Sequence, residues 1–381
     1  MATKPVDMSI PPEIAKAFEV KELPAVAAAP AATGPSAKAE APASKRKKKT
    51  RKRHAKDDKK AEAEGVAGIA GPGNMDFVIP NRRPQNDPIC VGEKLWMDVT
   101  WLNTKAGEFE LEVLPHKVMN GRKVYDLKGT ARTSELFSLV YKAEDFVESF
   151  VDFEGWFPYK FLLHGDETKH IRNNLELFDH GARKQYIATY DNRVQKGEIV
   201  EDKGFKDLTP LSQDSLSAIY YVRTLPFEIG KVLRFPMTTN GNQWETEVSV
   251  LGREEVSTKM GYMKAFKTKI ETRFKGVLQQ QGDAFMWFSD DERKYLLRFE
   301  AKVRIGSVVG VTRKIETGVS PDGSTPPLPQ GPSGKATEAK DDATKTSGVN
   351  PGDRGDPNQR GRHRKWFHEL LESVSSAVKK K

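Results

Sequence analysis

The sequence predicts an all-β fold: a strongly curved antiparallel sheet or incomplete β-barrel wrapped around one helix. Three observations predict it. Apolar and charged residues alternate with a period of two over several long stretches. Asn-Gly pairs stand just before such stretches. Among these strand-like stretches, one apolar segment follows helical spacing instead. A strand with one dry and one wet face belongs to an antiparallel sheet, because a parallel sheet is covered on both sides.

In chain order, "EFELEVL" sets Phe109, Leu111 and Val113 against Glu108, Glu110 and Glu112. "VMNGRKVYDLKG" places the hairpin pair Asn120-Gly121 ahead of a strand, and "TTNGNQW" does the same with Asn240-Gly241. Trp244, Thr246, Val248 and Val250 then alternate with Glu245, Glu247 and Ser249, and Phe266, Ile270 and Phe274 with Lys267, Lys269, Glu271 and Arg273. In "DAFMWFSDDERKYLLRFEAKVRIGSV", Phe285–Phe288 read as one strand. Tyr295, Leu297, Phe299, Ala301, Val303 and Ile305 are the dry face of the next, against Lys294, Leu296, Arg298, Glu300, Lys302 and Arg304. Asp290, Asp291 and Glu292 then sit in a hairpin turn, where short polar side chains bond to the local backbone. The exception is "LTPLSQDSLSAIYYVRTLPFEIG", 208–230. Thr209 with Pro210 suits a helix start, Asp214 is a rival cap, and Pro226 stops the helix. Ala218–Val222 leave little polar face, so this helix is expected to be buried.

Composition divides the chain. Residues 1–76 are read as a disordered Ala/Pro-rich and Lys/Arg-rich region, 77–316 as the β domain, 317–361 as a disordered linker and 362–381 as an amphipathic helix. The net charge of +9 comes from one tract, "KRKKKTRKRHAKDDKK", which holds eleven Lys or Arg and two Asp. Lys45, Arg46, Lys47, Lys48, Lys49, Arg51, Lys52 and Arg53 form its polyanion-binding core. Such a tract attracts phosphates, anionic lipid or lipopolysaccharide without reading sequence, or serves as a self-repelling linker. Trp366, Phe367, Leu370, Leu371 and Val374 make an apolar stripe between basic flanks, suited to a membrane surface or to a partner. The single cysteine, Cys90, excludes an internal disulfide framework.

Motifs for catalysis are not found: no phosphate loop, no nucleophile elbow and no zinc helix. His164, Asp166, His170 and His180 are metal-type donors in a polar stretch, read as surface histidines. Trp96, Trp101, Trp156, Trp244 and Trp287 read as core packing before a sugar platform. Arg223, on the buried helix, is expected to pair with a carboxylate. If the curved sheet encloses a ligand, Arg223, Trp287 and Phe299 are the residues expected to meet it.

Five ordered segments carry a family resemblance: "VGEKLWMDVTWLNTKAGEFELEV" (91–113), "YDLKGTARTSELFSLVYKAEDFVESFVD" (125–152), "DSLSAIYYVRTLPFEIG" (214–230), "REEVSTKMG" (253–261) and "MWFSDDERKYLLRFEAKVRIGSV" (286–308). Through them residues 91–311 resemble the bacterial domain of unknown function 3108. The resemblance implies an all-β domain in exported envelope proteins, often lipoproteins, and implies no reaction. Residues 1–20 show no apolar signal region, yet "ATKPVDMS" resembles the start of a mature lipoprotein just after its lipidated cysteine. The expectation is a periplasmic or envelope protein, lipid-anchored if that cysteine preceded Ala2, with a cytoplasmic protein as the alternative. It is expected to be no enzyme and to use neither cofactor nor metal. Its β domain binds an apolar ligand or an envelope protein partner; alternatively it is a scaffold with a filled core whose tails bind membrane, polyanion or protein. Sequence-specific nucleic acid is not expected as a partner.

Overall fold

The computed structural model describes residues 8–23, 77–139, 141–194, 196–274, 277–278, 284–302, 306–320, 323–329 and 331. The tract Lys45–Arg53 and the stripe Trp366, Phe367, Leu370, Leu371 and Val374 lie outside these residues, as do Val303–Ile305 of the alternating stretch.

The chain begins with α1 (Pro12–Ala15), a 3-10 turn (Lys16–Phe18) and β1 (Val20–Glu22). A meander follows: β2 (Val91–Trp101), β3 (Thr104–Met119), β4 (Arg122–Thr133), the single turn α2 (Glu135–Ser138), β5 (Ala143–Asp152), β6 (Pro158–Glu167), β7 (His170–Asp179), β8 (Lys184–Arg193) and β9 (Glu198–Asp207). Then come α3 (Ser215–Thr224) and a second meander: β10 (Val232–Thr239), β11 (Asn242–Thr258), β12 (Gly261–Phe274), β13 (Val277–Leu278), β14 (Ala284–Ser289), β15 (Leu296–Lys302) and β16 (Ser307–Val319). All lie in one antiparallel sheet whose path runs β10-β11-β12-β14-β15-β16-β2-β3-β4-β5-β6-β7-β8-β9 and does not close into a barrel. The first meander therefore grows outward from β2 to one edge. α3 carries the chain to the opposite edge, and the second meander returns until β16 pairs with β2.

Local chemistry explains the joints. Asn120-Gly121 and Asn240-Gly241 have φ of 51° and 74°, and 49° and 74°, as a two-residue turn with positive φ at both positions requires. β15 alternates as expected, with Phe299 and Ala301 buried and Arg298, Glu300 and Lys302 outward. Leu296 departs from the expected wet set and is buried, because a register shift between Trp287 and Phe288 opposes Trp287 to Arg298 but Phe288 to Leu296. Asp214, not Thr209, caps α3: its Oδ1 accepts from the Leu216 and Ser217 amides at 2.8 and 2.7 Å, and Ser217 Oγ accepts from the Asp214 amide at 3.0 Å. This reciprocal pair satisfies donors that Thr209, five residues earlier, does not reach.

α3 packs on β4, β5 and β10, and every residue from Leu216 to Arg223 is buried. Gly129 of β4 makes room for it; a Cβ there would come within 2.8 Å of Val147 Cγ2 and 3.5 Å of Leu216 Cδ1. The main core gathers around this helix and includes Phe109, Leu127, Tyr220, Phe288 and Phe299. A second cluster lies on the other face of the first meander, around Met119, Val124, Phe150, Tyr159 and Leu177. Its cover departs from the expectation for residues 1–76. β1 pairs with Lys117–Met119 of β3, Phe18 is buried, and Met8, Ile10 and Ile14 pack alongside. Residues 8–23 are thus part of the β domain, held because their apolar side chains meet an apolar outer face.

Phe299 tests this arrangement. Its ring meets Phe109 edge-on at 6.3 Å and lies over Gly310, where a Cβ would stand 2.1 Å from its Cε1. In chemical denaturation, Phe299→Ala is expected to cost ~3–5 kcal/mol. Gly310→Ala should cost ~1–3 kcal/mol by displacing the ring, and Glu300→Ala ~0.5 kcal/mol or less. Equal costs at 299 and 300 would contradict the facing of β15.

Candidate functional site

The residues expected to meet a ligand do not converge. Phe299 faces the core opposite Gly310. Trp287 is paired with Arg298, the neighbour of Phe299, and therefore lies on the other face of the sheet. There its Nε1 donates to Glu254 Oε1 at 2.6 Å, with Arg298 and Lys267 over its ring at 5.2 and 5.1 Å. Trp96 is held in the same way under Lys94 and Lys314. Trp156 is fully buried and stacks on Tyr125 with centroids 4.8 Å apart.

Arg223 stands at the C-terminal end of α3, where a cation suits the helix dipole. Nη1 and Nη2 donate to the two carboxylate oxygens of Glu93 at 2.5 and 2.8 Å. Nη2 also donates to the Pro88 carbonyl at 3.2 Å, and Nε to the Arg293 carbonyl at 3.1 Å. Both charged side chains are buried, so desolvation opposes the pair and only near-complete hydrogen bonding sustains it. Around it, Arg293 donates to the Asp87 carbonyl, to Cys90 Sγ and to Ser320 Oγ, and Lys294 Nζ donates to the Arg223 and Leu225 carbonyls. Arg83 and Tyr125 donate to Asp87, and Arg82 to Tyr221. The segment 81–93 thus crosses the end of the helix as a polar clasp. Sequence reasoning found Arg223 but missed Glu93, whose signal was legible. Glu93 stands in phase with Leu95, Met97 and Val99, a carboxylate on the dry side of β2.

The carboxylate run beside the clasp is a turn. Asp291 Oδ1 accepts from Ser289 Oγ and from the Arg293 and Lys294 amides, each at 2.9 Å. Asp290 pairs with Arg253 at 2.9 Å. The histidines are also dispersed. His164 pairs with Asn173 across β6 and β7, whereas His170 lies three residues along from Asn173 and so on the opposite face, bonded to Asp191. His180 departs from the surface reading. It is buried, donates from Nε2 to the Pro158 carbonyl at 2.8 Å and accepts the Leu211 amide at Nδ1, 2.9 Å away. Burial lowers its pKa to about 4, which keeps it neutral. Among the described residues no group of three or more His, Cys, Asp or Glu is arranged to hold a metal ion.

Among the described residues, burial raises several carboxylates, Asp214 and Asp126 among them. Burial raises Asp214 to about 6, against the hydrogen bonds of the cap. On the outer face, burial and then the neighbouring Glu148 raise Asp126 to about 7, beside the Lys117–Glu22 ion pair that ties β1 to β3.

Two outcomes check these assignments. Arg223→Met leaves Glu93 buried without its cation and should cost ~3–5 kcal/mol, whereas adding Glu93→Leu should recover most of that loss. A denaturation cycle on the four proteins measures it; additive losses would show that the pair is not coupled. For Asp126, the unfolded carboxyl titrates near ~3.9. The folded state therefore binds the extra proton between that value and about 7, and wild-type stability falls through this window as pH rises. Asp126→Asn lacks this loss, so its stability relative to wild type should rise by about 1–3 kcal/mol between acidic and mildly alkaline buffer. A pH-independent difference between the two proteins would contradict the raised value.

A search of curated proteins finds no match to the chain. Among solved structures, a β-barrel-like protein of domain of unknown function DUF1849 from Brucella abortus aligns with TM-score 0.38 and 12% identity, covering 59% of this chain and 97% of that one. A protein with a YmcC-like fold from Bacteroides fragilis aligns with TM-score 0.23 and 12% identity, over 61% of this chain and 97% of that one. A candidate lipoprotein from Parabacteroides distasonis gives 0.23 and 10%, over 62% and 98%. The decisive match is in sequence: one family model spans residues 97–312, from the middle of β2 to the middle of β16, which is more than half of the chain and holds α3 and most of both meanders. The chain belongs to the family described as Protein of unknown function (DUF3108).

Proposed function

We propose that this protein is a non-enzymatic scaffold of the bacterial cell envelope, whose β domain is a packed platform and whose tails bind an anionic membrane surface. The observation that carries this reading is the occupied concave side of the sheet. α3 lies there with Leu216–Arg223 all buried, and Arg223 is engaged by Glu93, Pro88 and Arg293. A carrier of an apolar ligand needs that space, so the filled arrangement favours the scaffold over the carrier. The envelope setting rests on the family resemblance, which implies export. The binding role of the tails rests on the sequence. Lys45–Lys49 and Arg51–Arg53 form a point-charge attractor, and Trp366, Phe367, Leu370, Leu371 and Val374 give an apolar stripe between basic flanks.

The two tails differ in their physics, and salt separates them. Attraction of basic residues to an anionic surface is worth about 1 kcal/mol each close to the membrane and fades within a Debye length. Insertion of apolar side chains resists salt. Either contact raises the effective concentration of the other.

Co-sedimentation with phosphatidylglycerol-containing vesicles, at low and high salt, tests the reading. The full chain is expected to bind. Deleting 45–60 should remove the salt-sensitive part, and deleting 362–381 the salt-resistant part. Undiminished binding by the chain lacking both segments, or preference for DNA over anionic vesicles at physiological salt, would overturn it.

A further inference from the structure

We infer that β9 is a homodimerisation edge, at which two copies of the chain join antiparallel about a two-fold axis through Asp202. β9 ends the sheet: β8 lies on one side, and no strand is paired to the other among the described residues. Edge strands are ordinarily short, kinked or blocked by charge that repels a second strand. β9 runs ten residues in unbroken register with β8 and exposes Ile199 at 59% and Phe205 at 56%.

The charges on β9 attract a copy instead of repelling it. In an antiparallel pair, directly opposed residues share a face of the sheet. A two-fold axis normal to the sheet preserves faces, so each residue opposes either itself or a residue an even number of positions away. With Asp202 on the axis, Glu201 opposes Lys203 of the second copy, Val200 opposes Gly204, Ile199 opposes Phe205 and Glu198 opposes Lys206. Every charged pair off the axis is opposite in sign, the two large exposed apolar side chains meet, and the remaining apolar residue faces a glycine. Moving the axis to Lys203 opposes Glu201 to Phe205 and Val200 to Lys206; moving it to Glu201 opposes Ile199 to Lys203. Only the register centred on Asp202 is complementary.

The surroundings fit this register. Phe205 meets the Tyr186 ring edge-on at 5.4 Å, so the Ile199–Phe205 contact would prolong the outer apolar cluster across the junction. The one like-charge contact, Asp202 with its copy, is moderated by Lys206 Nζ 2.9 Å from Asp202 Oδ2. Beyond Lys206 the edge is closed, because Gln243 Nε2 already donates to the Asp207 carbonyl at 3.2 Å. The complementary stretch therefore ends where the open edge ends.

The axis gives a test that reads register as well as association. Asp202→Cys places a thiol opposite itself, where opposed Cα atoms of a β pair lie ~4.5–5.5 Å apart, within disulfide range. Val200→Cys places its thiols four positions apart along the ladder, out of reach. The native Cys90 is buried and serves as an internal control. Under mild oxidation of the full chain, Asp202→Cys should give a disulfide-linked dimer at least tenfold faster than Val200→Cys. Adding Glu201→Lys should slow it at least tenfold, and adding Lys203→Glu as well should restore it. Equal cross-linking at 200 and 202, failure of the charge exchange to restore cross-linking, or a wild-type chain that stays monomeric in sedimentation velocity as concentration rises would overturn the proposal.

Discussion

A sheet built from two antiparallel meanders has a face that water cannot be left to cover, and one helix covers it. The whole fold depends on that constraint. α3 is the crossover from one edge of the sheet to the other, so its placement decides both the covering of the core and the return path of the chain. A helix buried on all sides gains little from amphipathic patterning. Its position is set instead at its ends. Asp214 closes the N-terminal amides, and Arg223 anchors the C-terminal turn to Glu93 of β2. Because β2 is where the second meander rejoins the first, through β16, this one ion pair ties the crossover to the junction of the two halves.

Such a pair is weak evidence of stability. Two buried charges cost more to desolvate than their attraction alone returns, unless every donor finds an acceptor. The clasp of residues 81–93 and the turn at Ser289–Arg293 supply those acceptors through the Pro88 and Arg293 carbonyls. The conspicuous acidic run Asp290–Glu292 thus has a mechanical role. Asp291 shapes a turn whose backbone then receives Arg223. Polar residues that look like chemistry in one dimension are the fastenings of a packed core in three.

The two faces of the sheet divide the labour. The concave face carries the helix, packed on β4, β5 and β10. On the outer face the apolar cluster of the first meander is closed by residues 8–23, and aromatic rings such as Trp96 and Trp287 lie under lysine and arginine side chains. The proposed scaffold role draws on the charged, aromatic outer surfaces, and the proposed pairing at the β9 edge extends it.

The sequence by itself determined the fold class, the helix among the strands, the two Asn-Gly turns and the facing of residues such as Phe109 and Phe299. Each of these is set by local period or local backbone sterics, which a sequence displays directly. It also held the mark of Glu93, a carboxylate in phase with three apolar residues, but not the identity of its partner 130 positions away. Only the tertiary structure decided the rest. It put Trp287 and Phe299 on opposite faces, because the antiparallel register opposes Trp287 to Arg298, the outward neighbour of Phe299. It chose Asp214 over Thr209 as the cap, because the choice rests on a reciprocal bond with Ser217. It seated residues 8–23 on the domain, because their apolar side chains matter only once a distant outer face exists to receive them. Period and propensity act between neighbours; which buried groups meet is fixed by the path of the chain through the sheet.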